Sequence, residues 1–366
     1  MNKRYLLDVL LCRYGQLRSR HPAIFRRPLG FFFFITGKCN LNCRFCWQRK
    51  DEKQKLEWNN AFKNELSAEE WVSIVKKLPI PSFFGLTGGE PTLSKAFGPM
   101  IEEATRRNIP VSILSNGKAL HDDHVRLLSQ TSVRNVSFSL DGFANIHDHV
   151  RSSTGLFDCV VHSIQKLNQE RFKRKVPSLT IKTVLLNENV DQLIAFRKFC
   201  ANELRADNLN IGFVKIGDHA QFSMKYCHDL SDILLKNHSE LYEYRDKKRI
   251  VQVLTDLIKD NHRSHCKVNI YPQMINRVQL ENFLNNNGKN VYNPCYYPWV
   301  AVEILPNGEV IPCLSISLGN IKDYNYNVLT LLEDTPYHVF LNKIKLMGQH
   351  IPDACNICCF LNVKNR

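Results

Sequence analysis

The sequence predicts an α/β fold whose parallel sheet closes, wholly or in part, into a barrel. Six short apolar segments alternate with amphipathic helical patterns, and this alternation is typical of strands joined by crossover helices. The first segment, FFFFI at residues 31–35, is apolar throughout, as expected of a strand that is buried on both faces. The chain has 366 residues, of which 44% are hydrophobic and 23% charged, so it has room for this domain and a smaller module.

The six strands are predicted from their apolar content and from the residues that bound them. They cover residues 30–36, 82–87, 110–115, 135–140, 178–185 and 208–216. Between the first two strands, Ser67 and Glu70 have the spacing of a capping box at the start of a helix. Residues 231–287 have a mostly helical, polar pattern, and residues 291–313 predict a hairpin that turns at Asn307 and Gly308.

The formal net charge of +14 at pH 7 suggests affinity for anions, but a basic surface that only keeps the protein in solution is the favoured interpretation. The basic residues are spread along the chain without a recognisable nucleic-acid-binding module, so nucleic acid is an unfavoured partner. One cluster adjoins an amphipathic helix expected over residues 5–17, and it consists of Arg13, Arg18, Arg20, Arg26 and Arg27. This cluster allows peripheral membrane contact, but packing of the helix onto the main domain is the favoured interpretation. No apolar run approaches the ~20 residues of a membrane span and no secretory cleavage site is recognisable, so we expect a cytoplasmic protein.

Three cysteines stand close together directly after the first strand, in the segment TGKCNLNCRFCWQ: Cys39, Cys43 and Cys46. The carboxyl end of a strand is where α/β barrels place their chemistry. Thiolates on such a loop suit an iron–sulfur cluster, and three ligands would leave one iron of a four-iron cluster open. Zinc is the alternative metal, and it would need a fourth ligand. The total of 13 cysteines is odd and high, which also favours metal binding over disulfides.

Four motifs occur in the same order as in the radical S-adenosylmethionine (radical SAM) enzymes, and the chain resembles that family. They are C-x3-C-x2-C with Phe45 before its last cysteine, LTGGEPTL, ILSNG, and SFSLDG followed by HDHVR. Together with the predicted strands they span most of residues 30–216. The resemblance implies the fold of these enzymes, a partial (β/α)6 TIM-like barrel, which agrees with the six predicted strands.

The resemblance also implies a role for each matching residue. Cys39, Cys43 and Cys46 would hold a 4Fe–4S cluster whose open iron is chelated by S-adenosyl-L-methionine. The residues that would bind this cofactor are Gly88, Gly89 and Glu90 along its methionine part, Arg151 on its carboxylate, Asn116 and Ser139 on its carboxylate or ribose, and Phe45 near its adenine. We interpret the segment that contains His147 and His149 as a loop that orients Arg151.

A second thiol site is predicted near the end of the sequence. Cys295 and Cys313 flank the predicted hairpin, and Cys355 and Cys358 form a C-x2-C pair, which fits a zinc ribbon or an iron–sulfur cluster. The arrangement resembles the SPASM/twitch region of radical SAM enzymes, which implies an auxiliary 4Fe–4S cluster. Because the sequence ends at Arg366, we expect a single auxiliary cluster, and Cys359 and Cys266 are alternative ligands. The isolated cysteines are interpreted mostly as small buried hydrophobes: Cys12, Cys159, Cys200, Cys227 and Cys266.

These patterns divide the chain into four predicted segments. Residues 1–28 are a basic helical extension, and residues 29–220 are a radical SAM partial barrel. Residues 221–288 are a helical bridging segment, and residues 289–366 are a SPASM/twitch-like auxiliary-cluster domain.

The activity that the resemblance implies is reductive cleavage of S-adenosylmethionine to a 5′-deoxyadenosyl radical, which abstracts hydrogen from a small polar or peptidyl substrate. Four thiolates would saturate the auxiliary cluster, so we expect it to accept an electron and the reaction to be an oxidation. An external reductant such as flavodoxin or ferredoxin would supply the first electron. The short N-terminal extension favours a small molecule slightly over a peptide. The alternatives are a ribosomal-peptide maturase, a tRNA-modifying radical enzyme and a non-catalytic iron–sulfur electron carrier.

Overall fold

The computed structural model describes residues 3–46, 62–174, 177–216, 225–226, 240–286, 291–313, 316–348, 355 and 358. The helices of this part are α1 Lys3–Arg20, α2 Ala68–Lys77, α3 Phe97–Arg106, α4 Asp122–Gln130, α5 Ala144–Arg151, α6 Leu156–Arg174, α7 Leu193–Asn202, α8 Lys247–Lys259, α9 Arg277–Asn285, α10 Tyr297–Val300, α11 Val328–Glu333 and α12 Thr335–Met347. The strands are β1 Gly30–Phe34, β2 Phe83–Thr87, β3 Val111–Ser115, β4 Val133–Ser139, β5 Ser178–Leu185, β6 Asn208–Phe213, β7 Lys215–Ile216, β8 Lys225–Tyr226, β9 Glu240–Leu241, β10 Lys267–Tyr271, β11 Ala301–Ile304, β12 Glu309–Ile311, β13 Ile316–Ser317 and β14 Gly319–Asn320.

One large sheet organises the molecule, with the strand order β10-β6-β5-β4-β3-β2-β1-β11-β12-β14. Every pairing from β10 to β11 is parallel, whereas β12 pairs antiparallel with both β11 and β14. The six strands predicted for the barrel are adjacent in this order, with ends shifted by only a few residues. The predicted fold class, an α/β partial barrel with a C-terminal module, is confirmed.

The six barrel strands end at one edge of the sheet, because parallel strands in register share their direction. Register places Phe34 beside Thr87 at the ends of β1 and β2, and Ser139 beside Lys182 on β4 and β5. The loops that follow these carboxyl ends therefore lie next to one another. Among them is the segment that carries the first three cysteines.

The two faces of the sheet differ in polarity. One face carries fully buried apolar side chains, such as Phe31 and Phe33 of β1, and packs against helices. The alternate residues on the middle strands are polar and bind one another across the sheet. Asn135 Oδ1 accepts hydrogen bonds from Thr180 (2.7 Å) and Ser178 (3.0 Å), and other amides on this face pair in the same way. The face opposite the helices is thus a polar surface inside the partial barrel.

Two predicted local features occur as expected. The Ser67 side chain accepts from Glu70 N at the start of α2, and the Glu70 carboxylate accepts from Ser67 N, which completes the capping box. The hairpin of β11 and β12 turns at Gly308, whose φ of +93° falls in the region that glycine tolerates best.

Two other segments differ from their predicted structure. The stretch predicted to be helical over residues 231–287 contains α8 and α9, but it also contains β10, which extends the sheet in parallel beside β6. The alternation in KVNIY buries Val268 and Ile270 on one face only, and its polar alternate residues hid the strand in a polar stretch. The segment with His147, expected to be a loop, forms α5.

Helix α1 packs on the C-terminal part of the molecule through one face. The Arg18 guanidinium is buried and donates to Trp299 O at 2.7 Å and to the Tyr337 hydroxyl at 2.8 Å. This arginine therefore holds the helix against α10 and α12. Among the described residues, no helix has both the length and the apolar character needed to cross a membrane.

Candidate functional site

The segment after β1 presents Cys39, Cys43 and Cys46 as half-buried free thiols. Its backbone turns at the last two cysteines, where Cys46 N donates to Cys43 O at 3.1 Å. Arg44 N, between them, donates to Val150 O of α5 at 3.0 Å. The cysteine segment is thereby attached to the helix that follows β4.

The two glycines after β2 allow the chain to lie directly against the cysteine segment. A Cβ atom on Gly89 would come within 2.1 Å of Lys38 O, and one on Gly88 within 2.5 Å of Thr36 O. The backbone between these segments is joined by hydrogen bonds from Gly89 N to Thr36 O and from Glu90 N to Lys38 O, both 2.8 Å. Gly88 and Gly89 are thus explained by the close approach of the two backbone segments, without any cofactor. Their predicted contact with the methionine part of a cofactor stays a prediction.

Glu90 is fully buried and joins the ends of β2 and β3. Its Oε1 accepts from the Thr92 hydroxyl (2.6 Å), Thr92 N (3.2 Å) and the Ser115 hydroxyl (2.8 Å), and its Oε2 accepts from Asn116 N (2.6 Å). Burial raises the pKa of this carboxyl, and these donors only partly offset the rise. The predicted role as acceptor for the methionyl ammonium would use the remaining capacity of Oε2, and it stays a prediction.

Asn116 contacts the first cysteine directly. Its Nδ2 lies 3.8 Å from Cys39 Sγ and donates to Asn40 Oδ1 at 2.8 Å, while its Oδ1 accepts from Lys118 N at 2.9 Å. In this structure the side chain therefore holds the cysteine segment. Its predicted hydrogen bond to the cofactor is not needed to explain its position.

Arg151 contacts the cysteine segment from the end of α5. Its Nη1 is 3.7 Å from Cys43 Sγ, and its guanidinium lies 5.0 Å from the centre of the Phe45 ring. A cation over an aromatic face is a stabilising contact. The structure thus brings Arg151, Phe45 and the cysteine segment together, as their shared motif order predicts. Ser139, the last residue of β4, is half-buried at the same edge of the sheet.

Asp141 is a residue of this site that sequence reasoning missed. Arg151 Nε donates to Asp141 Oδ2 at 2.6 Å, and Val184 N donates to Oδ1 at 2.9 Å. The carboxylate is fully buried; burial acts to raise its pKa, but Arg151 and His147 together hold it well below its usual range. The predicted partner of Arg151 was a cofactor carboxylate, whereas its first partner is this internal one. The signal was present in the motif, where Asp141 follows the strand that bears Ser139.

His147 binds the backbone of Asp141. Asp141 N donates to His147 Nδ1 at 3.1 Å, and the other ring nitrogen of this histidine is Nε2. That Nε2 is buried and has no hydrogen-bond partner in the part of the chain that the structure describes. His147 therefore positions Asp141 rather than binding a metal, which agrees with the predicted supporting role of this segment.

Glu65 is a second missed residue, and it anchors the start of the cysteine segment. Its carboxylate accepts from the Thr36 hydroxyl at 2.9 Å and from Gly37 N at 2.7 Å. The next residue, Leu66, donates its N–H to Pro306 O of the β11–β12 hairpin at 2.7 Å. A single short segment thus connects the first cysteine site to the C-terminal module. No local sequence pattern around Glu65 predicts its contact with Thr36 and Gly37.

The donors around the first site suit an iron–sulfur cluster. A cluster's thiolate ligands are commonly stabilised by hydrogen bonds to sulfur, and here Asn116 and Arg151 point N–H groups at Cys39 and Cys43. Within the described ranges, no group of three or more His, Cys, Asp or Glu converges as the ligands of a single ion would. Ligands at separate corners of a cluster need not converge in that way.

The second thiol site lies beside the hairpin and α10. Cys295 and Cys313 flank this region, and Cys358 N donates to Cys355 O at 3.0 Å in the C-x2-C turn; all four thiols are half-buried. Burial raises the pKa of the Cys295 thiol, and the neighbouring thiolates of Cys358 and Cys313 raise it further. Crowded thiols of this kind can ionise together only around a cationic group, so the donor set fits a metal or cluster.

Cys266 and Cys359 were the alternative ligands predicted for the second thiol site. Cys266 is buried beside Cys200, and its charged neighbours are Arg197, Asp207 and Lys267, so the structure does not bring it to the second site. Cys359 and Cys227 lie outside the described residues. The interpretation of Cys200 and Cys266 as buried hydrophobes is consistent with their full burial.

Comparison with known proteins identifies two domains in this chain. Residues 33–200 match the radical SAM superfamily, and residues 295–359 match SPASM, an iron–sulfur cluster-binding domain. The sporulation killing factor maturation protein SkfB of Bacillus subtilis is 31% identical over 178 residues, which are 48% of this chain and 40% of that protein. The mycofactocin maturase MftC of Mycolicibacterium smegmatis is 28% identical over 177 residues, 48% of this chain and 42% of that protein.

A solved structure extends the likeness to nearly the whole fold. SuiB of Streptococcus suis, in a crystal structure with its precursor peptide SuiA, superposes with a TM-score of 0.62 at 16% identity. The superposition covers 94% of this chain and 75% of SuiB. The sequence matches to SkfB and MftC, by contrast, span less than half the length of those relatives.

Both matches agree with the geometry at the two thiol sites. The cofactors of a radical SAM domain are a 4Fe–4S cluster and S-adenosylmethionine, and a SPASM domain adds further iron–sulfur clusters. The chain therefore combines a radical SAM domain over residues 33–200 with a SPASM domain over residues 295–359.

Proposed function

We propose that this protein is a radical SAM enzyme that modifies a peptide, with Cys39, Cys43 and Cys46 as the ligands of its catalytic cluster. The observation that carries the proposal is the convergence of two side chains on these cysteines. Asn116 from the end of β3 reaches Cys39, and Arg151 from α5 reaches Cys43. Three strand ends therefore contribute to one site at the mouth of the barrel.

The chain's own residues prepare this site in three ways. The glycines after β2 hold the cysteine segment close to the sheet, and Glu65 fixes its first residues. Asp141 orients the Arg151 guanidinium, whose remaining N–H groups can bind the carboxylate of S-adenosylmethionine. Glu90, Ser139 and the Phe45 ring then border the rest of that molecule. When bound, the cluster and S-adenosylmethionine supply the 5′-deoxyadenosyl radical that takes hydrogen from the substrate.

A peptide is the substrate class that the relatives favour. SkfB and MftC are named as maturation proteins, and SuiB was crystallised with a precursor peptide. These relatives support a peptide rather than a small polar molecule as the substrate.

The reaction that suits two thiol sites is an oxidation. The substrate would lose one hydrogen atom to the 5′-deoxyadenosyl radical, and then one electron to the auxiliary centre and one proton to solvent. Cys295, Cys313, Cys355 and Cys358 would hold that centre. The product would be two electrons more oxidised than the substrate, and the auxiliary centre would return its electron to an external carrier such as ferredoxin or flavodoxin.

The catalytic assignment is tested with anaerobic, reconstituted protein, dithionite and S-adenosylmethionine. The wild type should release 5′-deoxyadenosine, and the Cys39→Ala/Cys43→Ala/Cys46→Ala variant should release none while keeping the absorbance of its auxiliary cluster. The variant Cys159→Ala, which changes a cysteine outside both sites, is the matched control. Release of 5′-deoxyadenosine by the triple variant would refute the assignment.

The substrate class is tested by co-expressing the protein with short peptides encoded beside its gene. Mass spectrometry should find one peptide lighter by two hydrogens than its unmodified form. The modification should disappear with the triple cysteine variant. Formation of a redox-neutral product would refute the oxidation, and turnover of a non-peptide metabolite in the absence of any modified peptide would refute the peptide substrate.

A further inference from the structure

Helix α1 has two faces with different surroundings. One face is buried against the C-terminal part of the molecule: a Cβ atom on Gly15 would lie 2.8 Å from Tyr296 O. One turn further along the helix, the buried Arg18 donates to Trp299 O at 2.7 Å. The sequence favours packing of this helix on the main domain, and that packing uses one face only. The opposite face carries exposed side chains.

The exposed face combines leucine and arginine. Leu10 and Leu17 are 54% and 43% exposed, and Arg13 and Arg20 are exposed as well. These four side chains fall within an arc of about 80° around the helix axis, because each residue of an α-helix turns by about 100°. The turn after the helix continues the pattern with Ile24, which is 75% exposed. We call these five residues the α1 surface.

Exposed apolar side chains are concentrated on and beside the α1 surface. Single exposed leucines are ordinary on protein surfaces, whereas a cluster of apolar side chains marks a binding surface. Nine large apolar side chains are exposed in the part of the chain that the structure describes, and three of them belong to the α1 surface. Ile80 lies beside it, since its carbonyl accepts from Arg27 at 2.5 Å. Leu346 follows Lys345, whose Nζ donates to Ser19 O near the end of α1 at 3.4 Å.

The charge around the α1 surface has one sign. Between residues 9 and 28 the sequence has five arginines and no acidic residue, and of these arginines only Arg18 is buried. Helix α12, which contacts the end of α1, contains Lys343 and Lys345 and no acidic residue. An anionic partner is therefore complementary to this surface.

We propose that the α1 surface binds peripherally to an anionic lipid bilayer. In such a complex the axis of α1 lies parallel to the membrane, the apolar side chains enter the boundary between headgroups and acyl chains, and the arginines pair with lipid phosphates. Leu10 and Leu17 are about 10 Å apart along the helix, so both enter the bilayer on one line. The inference concerns where the protein is located, and it is independent of the proposed function.

The shape and composition of the α1 surface favour a bilayer over an acidic peptide or a nucleic acid. The surface is the outer side of one helix and is convex, whereas a bound peptide occupies a groove or extends the edge of a sheet. A nucleic acid would be bound through its phosphates by the arginines and would leave the aliphatic side chains exposed. A lipid bilayer is the anionic partner that uses both kinds of side chain.

The experiment measures co-sedimentation of the full-length protein, reconstituted anaerobically, with lipid vesicles. One set of vesicles is phosphatidylcholine alone, and the other contains about 30% phosphatidylglycerol, which gives the bilayer a negative surface. Each set is used at about 0.1 M and about 0.5 M sodium chloride. Leu10→Ser/Leu17→Ser removes the apolar part of the α1 surface, and Arg13→Ala/Arg20→Ala removes its charge.

The matched control variants change exposed residues of the same types elsewhere. Ile275→Ser/Val278→Ser removes two exposed aliphatic side chains at the start of α9, which follows the edge strand β10. Arg106→Ala/Arg126→Ala removes two exposed arginines of α3 and α4. Circular dichroism and the midpoint of thermal unfolding show for every variant that the protein is folded.

The wild type should bind the anionic vesicles at least about tenfold more tightly than the uncharged ones, and the higher salt should remove most of this difference. Arg13→Ala/Arg20→Ala should weaken binding to anionic vesicles about 25-fold, since each arginine near such a surface contributes a factor of about five. Leu10→Ser/Leu17→Ser should weaken it at least about fivefold. Both controls should bind like the wild type. The salt dependence tests the charge of the surface without any variant.

Three results would overturn the inference. If the wild type binds neither kind of vesicle at low salt, the protein has no membrane-binding surface. If it binds but the α1 variants match their controls, another surface is responsible. If vesicles are not bound and light scattering finds a dimer that Leu10→Ser/Leu17→Ser converts to a monomer, the α1 surface joins two copies of this chain. Binding to polyglutamate in place of vesicles would likewise assign the surface to an acidic peptide.

Discussion

Arg151 Nε lies 2.6 Å from Asp141 Oδ2, and this buried ion pair joins the end of β4 to the last residue of α5. The carboxylate is fully buried, and the arginine side chain is 11% exposed. The guanidinium is therefore held in place by the protein before any ligand arrives. Its other N–H groups face Cys43 and the Phe45 ring, which is the side where a cofactor would bind.

Removing Arg151 should destabilise the protein strongly. Arg151→Ala leaves the Asp141 charge buried without its ion-pair partner, and breaking a buried pair in this way costs about 3–5 kcal/mol. Denaturation by urea should show this loss in the free energy of unfolding. Arg126→Ala, which removes an arginine from an exposed pair with Asp123, should leave the unfolding free energy unchanged within error. An equally small effect of both variants would place Arg151 outside the buried pair.

The loss caused by Arg151→Ala should depend on pH in a defined direction. In the wild type, Arg151 and His147 overcome the burial of Asp141 and lower its pKa, so the pair stabilises the protein until the pH falls through that low folded value. Without Arg151, burial dominates and the pKa of Asp141 rises above its unfolded value of about 4. Folding of the variant is then favoured by protonation of Asp141. The stability difference between wild type and variant should shrink as the pH is lowered from 7 to 4, and a constant or growing difference would contradict the assignment.

Gly89→Ala should displace the cysteine segment. The added methyl carbon would lie 2.1 Å from the backbone oxygen of Lys38. It is bonded directly to the backbone of residue 89, so no side-chain rotation can relieve the clash. Reconstituted protein should lose iron from the catalytic cluster, measured in a background without the auxiliary cysteines Cys355 and Cys358. Gly98→Ala is the matched control, because its Cβ would have no neighbour closer than 4.0 Å and it lies in α3. That control should be neutral or stabilising by up to ~1 kcal/mol. Full iron content in Gly89→Ala would show that the segment can move without loss of the cluster.

Glu65→Ala should loosen the start of the cysteine segment. The variant leaves the Thr36 hydroxyl and Gly37 N without their carboxylate acceptor, and a hydrogen bond to a charged group contributes ~1.5–3 kcal/mol. We expect lower stability and faster loss of catalytic-cluster iron to a chelator. Glu102→Ala changes an exposed glutamate of α3 and should behave like the wild type. Chelation at the same rate in both variants would remove Glu65 from the support of the cluster.

The elements that the sequence predicted well are those specified locally. The strands from β1 to β6 are short apolar runs bounded by turn residues, and Ser67 with Glu70 specifies the start of α2 within four positions. The three cysteines of the segment after β1 lie within eight positions, and Gly88, Gly89 and Glu90 are consecutive, so their chemistry can be predicted without the fold. Strand β10 escaped prediction because its inner-face residues are polar, and only pairing with β6 shows that it is a strand.

What the sequence by itself determined is therefore the set of reactive groups and the order of strands that carries them. The tertiary structure decided which of these groups meet. Asp141 and Arg151, and likewise Glu65 and Gly37, become neighbours only after the strands pair in register. A carboxylate or thiol in a sequence is compatible with many partners of equal chemistry. The choice among them follows from the geometry of the sheet, since distance and burial decide which contact stabilises the folded chain.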